Sequence, residues 1–321
     1  MPQVRFFTFL SPEITPLLTQ YAPPGFEVSV HASDLPDEEK IPLVQDADFL
    51  ILFPGQISEQ VLRSAPHLKL IQLVAAGYDS MDVSLCRQLG IPVANNGGAN
   101  SIDVAEHTIG LILGFYRRLI ELDRNVRADR WRDIDTGSST YTINGKTVGI
   151  IGLGNIGKRV AHLLRAFGAR LLYYDQYPPA GDIESELGVT RMALEDVLRE
   201  SDIVTVHLPL TPETRGIIGK HELSLLKPTA VFVNTCRGPI VEEVALTEVL
   251  SERRILGAAL DVLEQEPPAP DNPLLRLDNV LLTPHAAGVT YDTWTRRGEF
   301  VFQNLQRVWE GGPPLAVVRE G

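Results

Sequence analysis

Short apolar runs alternate with helical patterning along most of the chain. Strands are predicted at residues 4–10, 26–30, 49–53, 70–74 and 92–94, with helical spacing between them at 58–64 and 84–89. Such alternation predicts a small parallel α/β domain. The stretch Asn95-Asn96-Gly97-Gly98-Ala99-Asn100 is rich in turn formers and marks a crossing point. A long helix is predicted from Asn100 or Ser101 to about Asp129, with Asp103 and Glu106 in its first turns. The alternation resumes at Lys146, where runs at 148–151, 171–174, 203–207, 230–234, 257–261 and 280–282 predict about six further strands. A last helix is expected over 291–310, in a tail that can return to the first domain.

The strand at 148–151 runs into Gly152-Leu153-Gly154-Asn155-Ile156-Gly157, followed by helical spacing at Val160, Leu163, Leu164 and Phe167. A glycine turn opening a helix lets backbone approach a pyrophosphate, and the helix N-terminus offers N–H donors. Alone the motif is weak evidence. Asp175, closing the next strand, strengthens it, because a carboxylate there can accept from the adenosine ribose hydroxyls. The same charge repels a 2′-phosphate, and residues 176–179 bring no Arg or Lys, so NAD is favoured over NADP. Gly152 to Lys158 also begins a triphosphate-loop pattern, but Arg159 stands where that loop needs a hydroxyl.

The 321 residues suffice for two α/β domains, and 44% apolar with 22% charged residues describes a globular protein. A formal charge of −12 argues against nucleic acid as a partner and requires a local cationic site for any anionic substrate. No apolar run approaches membrane-spanning length, and residues 4–10 read as a first strand rather than a signal peptide. Two cysteines, Cys86 and Cys236, make a disulfide framework improbable and fit a reducing cytoplasm.

Candidate chemistry lies where ligands bind in open parallel sheets, beyond the carboxyl ends of strands. Arg237 follows the 230–234 run, Glu266 follows 257–261, and His285 follows 280–282. Reduction of a 2-keto acid needs a carboxylate to be bound, a carbonyl polarised and a proton donated. A guanidinium offers a planar fork for carboxylate and carbonyl oxygens. An imidazole titrates near working pH, and a carboxylate beside it orients the ring and favours its protonated form.

With these flanks the chain resembles the NAD-dependent D-isomer-specific 2-hydroxyacid dehydrogenases. The resemblance runs from about Leu70 to Gly288, through Ala76-Gly77-Tyr78-Asp79, Val104-Ala105-Glu106-His107, the glycine turn, His207-Leu208-Pro209-Leu210-Thr211, Asn234-Thr235-Cys236-Arg237-Gly238, Asp261-Val262, Glu266-Pro267 and Thr283-Pro284-His285. It implies an α/β fold of two doubly wound parallel sheets. A Rossmann cofactor domain, residues 100–286, is inserted into a flavodoxin-like substrate domain of residues 1–99 and 287–321.

By position, the resemblance makes Arg237 the substrate-binding and polarising residue, His285 the acid/base and Glu266 its partner. Backbone N–H groups around Ala76 and Gly77 help hold the carboxylate. Gly152, Gly154, Asn155, Ile156 and Gly157 face the pyrophosphate and Asp175 the ribose, while Pro209 and Thr214 flank the adenine side. Thr235, Asp261 and Gly288 meet the nicotinamide end, and Cys236 is a small filler near the cofactor. No metal is implied. A homodimer is, through the helix after Asn100, and Trp131 either packs or reaches a partner's site. The substrate is a small 2-keto or 2-hydroxy acid of the glyoxylate or hydroxypyruvate type, its side chain met by residues 53–55, Tyr78 and Trp294.

Two alternatives remain. The same Arg–Glu–His set would serve a phosphite dehydrogenase, and a non-catalytic NAD-sensing protein akin to the related co-repressors would keep the cofactor site. His31, His67, His162 and His221 have no motif context, His107 is expected to pack in its helix, and Glu264 is the nearest decoy for Glu266.

Overall fold

A computed structural model describes residues 1–132 and 134–318. The substrate domain was expected to run to residue 321, and its last three positions lie outside the described residues. The chain divides into two compact units, one of residues 1–100 with the chain from Val289 on, the other of residues 101–288.

The first unit holds a parallel sheet of β1 (Gln3–Thr8), β2 (Glu27–Ala32), β3 (Phe49–Phe53), β4 (Leu70–Leu73) and β5 (Val93–Ala94), in the order β2-β1-β3-β4-β5. This is the flavodoxin-like order. Alternate side chains serve the two faces, as a strand's period of two requires. Val4, Phe6, Phe49 and Ile51 pack against Trp294, Val301, Phe302 and Leu305 of the helix Tyr291–Trp309. On the opposite face Phe7, Leu50, Leu52, Ile71 and Leu73 meet Val61, Leu62 and Leu85. Burial on both faces explains why the central strand β3 reads as an unbroken apolar run, whereas the edge strand β2 has no buried residue.

The second unit is a seven-stranded parallel sheet. Its strands are β6 (Thr147–Ile151), β7 (Arg170–Tyr174), β8 (Val189–Arg191), β9 (Ile203–Val206), β10 (Val231–Asn234), β11 (Gly257–Leu260) and β12 (Val280–Leu282). Their order is β12-β11-β10-β9-β6-β7-β8. Counted from β6 this is 7-6-5-4-1-2-3, the dinucleotide-binding order with one strand added at the edge. Sequence patterning missed β8, whose Val-Thr-Arg is too short to show a period.

The helix expected to run from residue 100 to about 129 is broken. It forms Ser101–Tyr116 and Leu119–Arg127, separated by Arg118 in the left-handed region at φ 51°. Arg118 is fixed by side-chain bonds to Glu121 and Ser139. The first segment packs Ala105, Ile109, Ile112 and Tyr116 onto the sheet with Val148, Ile150 and Val233. The second has no buried residue.

Candidate active site

The glycine turn links β6 to the helix Asn155–Ala166. Gly152 has φ +97°, and a Cβ there would lie 2.6 Å from the His207 carbonyl oxygen. At Gly157 a Cβ would lie 2.1 Å from the Gly152 carbonyl oxygen, so strand and helix close only with glycine. Gly154 differs, because a Cβ there would meet nothing within 4 Å. Internal packing does not account for that glycine, whereas close approach of a bound pyrophosphate does. Gly154 caps the helix without a side-chain bond, and no acidic residue occupies the first turn, which holds Asn155 and Ile156. These residues fit a dinucleotide.

Asp175 follows β7. One carboxylate oxygen accepts from the Leu153 N–H at 2.7 Å and the other from the Tyr177 N–H at 2.9 Å. The acidic residue is thereby tied to the glycine turn itself. Beyond β9, the Thr214 hydroxyl donates to the Pro209 carbonyl at 2.6 Å and accepts from the Thr211 N–H at 2.8 Å, which fixes the 209–214 loop. His207, buried just past β9, shares a 3.0 Å hydrogen bond with Thr205. Burial pushes its pKa down to about 3, so it is a neutral structural imidazole.

Buried Asn234, the last residue of β10, shapes the turn that carries Arg237. Its oxygen accepts from the Cys236 N–H at 3.0 Å and the Cys236 thiol at 3.1 Å, and its amide donates to the Arg237 carbonyl at 2.9 Å. Arg237 itself donates to the Cys236 carbonyl at 2.8 Å. Burial pushes the Cys236 thiol up to about 11, as an inert filler requires. The Thr235 hydroxyl bonds Thr108 of the Ser101–Tyr116 helix at 3.0 Å.

Beyond β11 and β12, Glu266 and His285 meet. His285 Nδ1 lies 2.6 Å from Glu266 Oε2, and Glu266 Oε1 accepts from the Leu263 N–H at 3.1 Å. Burial pushes the Glu266 carboxyl up, but the bond and charge of His285, the Leu263 N–H and the Arg237 charge outweigh it, leaving the pKa below the ordinary value. An ionised carboxylate only accepts, so Nδ1 carries hydrogen and Nε2 is the atom left for proton exchange. His285 stands at φ +52°, and its side chain is 47% exposed. A non-glycine residue in that region is costly and persists where its surroundings hold it.

Asp261 does the holding. Its side chain is fully buried, its main-chain oxygen accepts the His285 N–H at 2.8 Å, and its carboxylate accepts from Thr283 Oγ1 at 2.6 Å. The Ala286 and Ala287 N–H groups donate to the same carboxylate, each at 2.9 Å. Desolvation raises its pKa, but His107, Thr283, Ala287 and Ala286 together bring it down to about 2. His107, expected only to pack, touches Thr283 Oγ1 at 3.1 Å and lies 3.6 Å from Asp261. Gly288 closes this second unit.

In the first unit, Ala76 and Gly77 lie in the bend after β4. The Ala76 carbonyl accepts from Asn95 at 2.9 Å, the Asn95 carbonyl from Gln72 at 2.7 Å, and Gln72 Oε1 from Asn304 at 2.7 Å. Phe53 packs edge-on against Trp294 at 5.7 Å. Among the described residues no group of His, Cys, Asp and Glu is arranged to hold a metal, and no helix is long and apolar enough to cross a membrane.

A parallel sheet with a glycine turn after its β6 strand and a hydrogen-bonded histidine and glutamate at its carboxyl edge has the form of a dinucleotide-dependent dehydrogenase. Residues 109–287 match the family model for the D-isomer specific 2-hydroxyacid dehydrogenase NAD binding domain. Among curated relatives, a glyoxylate reductase of Aeropyrum pernix is 41% identical, with 99% of this chain and 96% of that protein covered. One from Korarchaeum cryptofilum is 40% identical, over 92% and 90% respectively. Among solved structures, the holo form of Rhodotorula graminis D-mandelate dehydrogenase superposes with a TM-score of 0.85 at 26% identity, covering 99% of this chain and 97% of that one. The chain belongs to the D-isomer-specific 2-hydroxyacid dehydrogenase family and is an NAD-dependent oxidoreductase.

The structure brings the sequence-predicted Glu266 and His285 together, and shows which neighbours hold their loops. Asn234 enters the sequence reading only within a motif and His107 as a packing residue; the structure adds that Asn234 holds the Arg237 turn, that His107 bonds Thr283, and that the Asp261 carboxylate anchors the His285 loop.

Proposed function

We propose that the chain reduces small 2-keto acids of the glyoxylate and hydroxypyruvate type to D-2-hydroxy acids. The observation that carries this reading is the 2.6 Å pair of His285 and Glu266, with Arg237 close enough for its charge to act on the glutamate. The glyoxylate reductases at about 40% identity support the substrate class.

Arg237 binds the substrate carboxylate and polarises the keto oxygen through its planar fork. His285 gives the proton on Nε2 to that oxygen as it gains charge, and Glu266 holds the ring and stabilises the imidazolium. Bound NADH supplies the hydride. Ala76 and Gly77 N–H groups hold the carboxylate from the substrate domain, residues 1–99 and 287–321, while residues 100–286 hold the cofactor. Within these, Gly152, Gly154, Asn155, Ile156 and Gly157 take the pyrophosphate and Asp175 the ribose. Pro209 and Thr214 flank the adenine, and Thr235, Cys236, Asp261 and Gly288 line the nicotinamide end.

The enzyme acts as a homodimer in the cytoplasm. Support for the dimer comes from five exposed apolar side chains in one stretch, Leu119, Ile120, Val126, Trp131 and Ile134, the last two 79% and 77% exposed. A reducing compartment is supported by two buried free thiols.

Steady-state NADH oxidation with glyoxylate and with hydroxypyruvate, beside NAD reduction with phosphite, tests the assignment. Turnover of the keto acids that collapses in His285→Ala supports it. Turnover with phosphite alone, or none with any substrate, overturns it.

A further inference from the structure

We propose that Glu243 is a positioning residue for the acid/base pair. It lies at the start of the helix Glu243–Ser251 and touches neither Glu266 nor His285 by any bond described above. Its two carboxylate oxygens instead grip both ends of the loop that presents Glu266. Oε2 accepts from the Glu264 N–H at 2.7 Å, and Oε1 accepts from Asn272 Nδ2 at 2.7 Å. The proposal rests on the assignment of Glu266 and His285 as the proton-transfer pair.

Three features make the grip specific. Asn272 cannot turn its amide around freely, because its oxygen already accepts from the Leu274 N–H at 2.9 Å. Both partners of Glu243 are therefore donors, and position 243 must accept twice. A carboxylate does so, whereas a glutamine of the same shape must aim its NH2 at one donor. Finally, the loop rests directly on the segment that carries the arginine. A Cβ at Gly238 would fall 1.9 Å from the Leu263 carbonyl oxygen and 2.5 Å from the Glu264 nitrogen. Only a glycine after Arg237 admits this contact, so the loop is held between Gly238 on one side and Glu243 on the other.

The consequence reaches the chemistry within three residues. Glu264, gripped by Glu243, is two positions from Glu266, whose Oε1 caps the Leu263 N–H while Oε2 holds His285. Releasing the grip frees the carboxylate to drift from Nδ1. The charged and titratable groups around the pair are Arg237, which acts on Glu266, and Asp261 with His107 behind the His285 loop. Neither of the two Glu243 hydrogen bonds goes to Arg237, Asp261 or His107, so the pH profile is read beside that of Glu266→Gln.

The test is the pH dependence of NADH-linked glyoxylate reduction in four variants. Glu243→Gln is expected to lower kcat about ten- to a hundredfold, the loss typical of a slightly misplaced catalytic group, with KM for NADH unchanged. It should move the alkaline limb of kcat to lower pH, in the same direction as Glu266→Gln. In the Glu266→Gln background it should cost little more, because the two act as one device. The double variant Glu243→Gln with Asn272→Asp exchanges donor and acceptor while sparing the Glu264 and Leu274 bonds, and should restore both kcat and the pH profile.

A wild-type profile in Glu243→Gln, or additive losses with Glu266→Gln, overturns the proposal. If Glu243→Gln does not fold, the exchanged pair decides, with wild-type kcat in support and lost kcat against. The two levels of the reading fail separately. An unmoved profile in Glu266→Gln removes the acid/base assignment, whereas a moved profile there with none in Glu243→Gln removes only the role of Glu243.

Discussion

Asp261→Asn should destabilise the second unit by about 3 kcal/mol. Wild-type Asp261 accepts three donors, Thr283 Oγ1 at 2.6 Å and the Ala286 and Ala287 N–H groups at 2.9 Å. An amide has a single acceptor oxygen. If it keeps Thr283 and Ala286, its NH2 confronts the Ala287 N–H, leaving a buried donor unpaired at about 1–3 kcal/mol. Losing the charge weakens the remaining bonds as well. The lowered carboxyl pKa that these same bonds cause gives a comparable magnitude. A pKa lowered from 3.8 to about 2 is worth about 2–3 kcal/mol, at roughly 1.4 kcal/mol for each factor of ten in proton affinity.

The sign follows from the direction of that change. A carboxylate whose folded pKa is depressed contributes stability above its unfolded pKa, and that contribution fades as pH falls from about 4 to about 2. Urea unfolding followed by far-UV circular dichroism checks both statements. At pH 7 the variant should lose about 3 kcal/mol with an unchanged m-value. Between pH 4 and 3 the gap between wild type and variant should narrow. A loss under about 1 kcal/mol at pH 7, or a gap constant through the acid range, would refute the anchoring role.

Three further outcomes are expected. Arg237→Ala should lower kcat/KM for keto acids by roughly 10²- to 10⁴-fold, since two charge-assisted hydrogen bonds worth about 1.5–3 kcal/mol each disappear; near-normal turnover counts against its role. Asp175→Asn should narrow the preference for NADH over NADPH at least about tenfold by removing a charge that repels a 2′-phosphate, as the ratio of the two kcat/KM values will show. Trp131→Glu with Ile134→Glu should weaken dimerisation by roughly 10⁴-fold or more, since four apolar side chains per dimer are withheld from an interface at about 1.5 kcal/mol or more each; sedimentation equilibrium measures it.

The sheets were legible in the sequence because their strands are buried on both faces and so appear as continuous apolar runs, as at Phe49–Phe53 and Val231–Asn234. The helix break at Arg118 was not, because Tyr116-Arg117-Arg118-Leu119 contains no helix breaker and the left-handed turn is stabilised by Ser139, 21 residues away. The site showed the same division. Arg237, Glu266 and His285 stand in recognisable local settings at strand ends. Asp261 and Glu243 act on partners 21 to 29 residues distant, and local pattern carries no trace of such bonds.

The central claim is that a hydride reaches C2 of a 2-keto acid while His285 protonates the oxygen. It is tested most directly with NADH dideuterated at C4 and hydroxypyruvate, followed by mass and chiral analysis of the product. The expected product is D-glycerate carrying one deuterium at C2, with none formed by His285→Ala. L-Glycerate, protium at C2, or unchanged turnover in His285→Ala would contradict it.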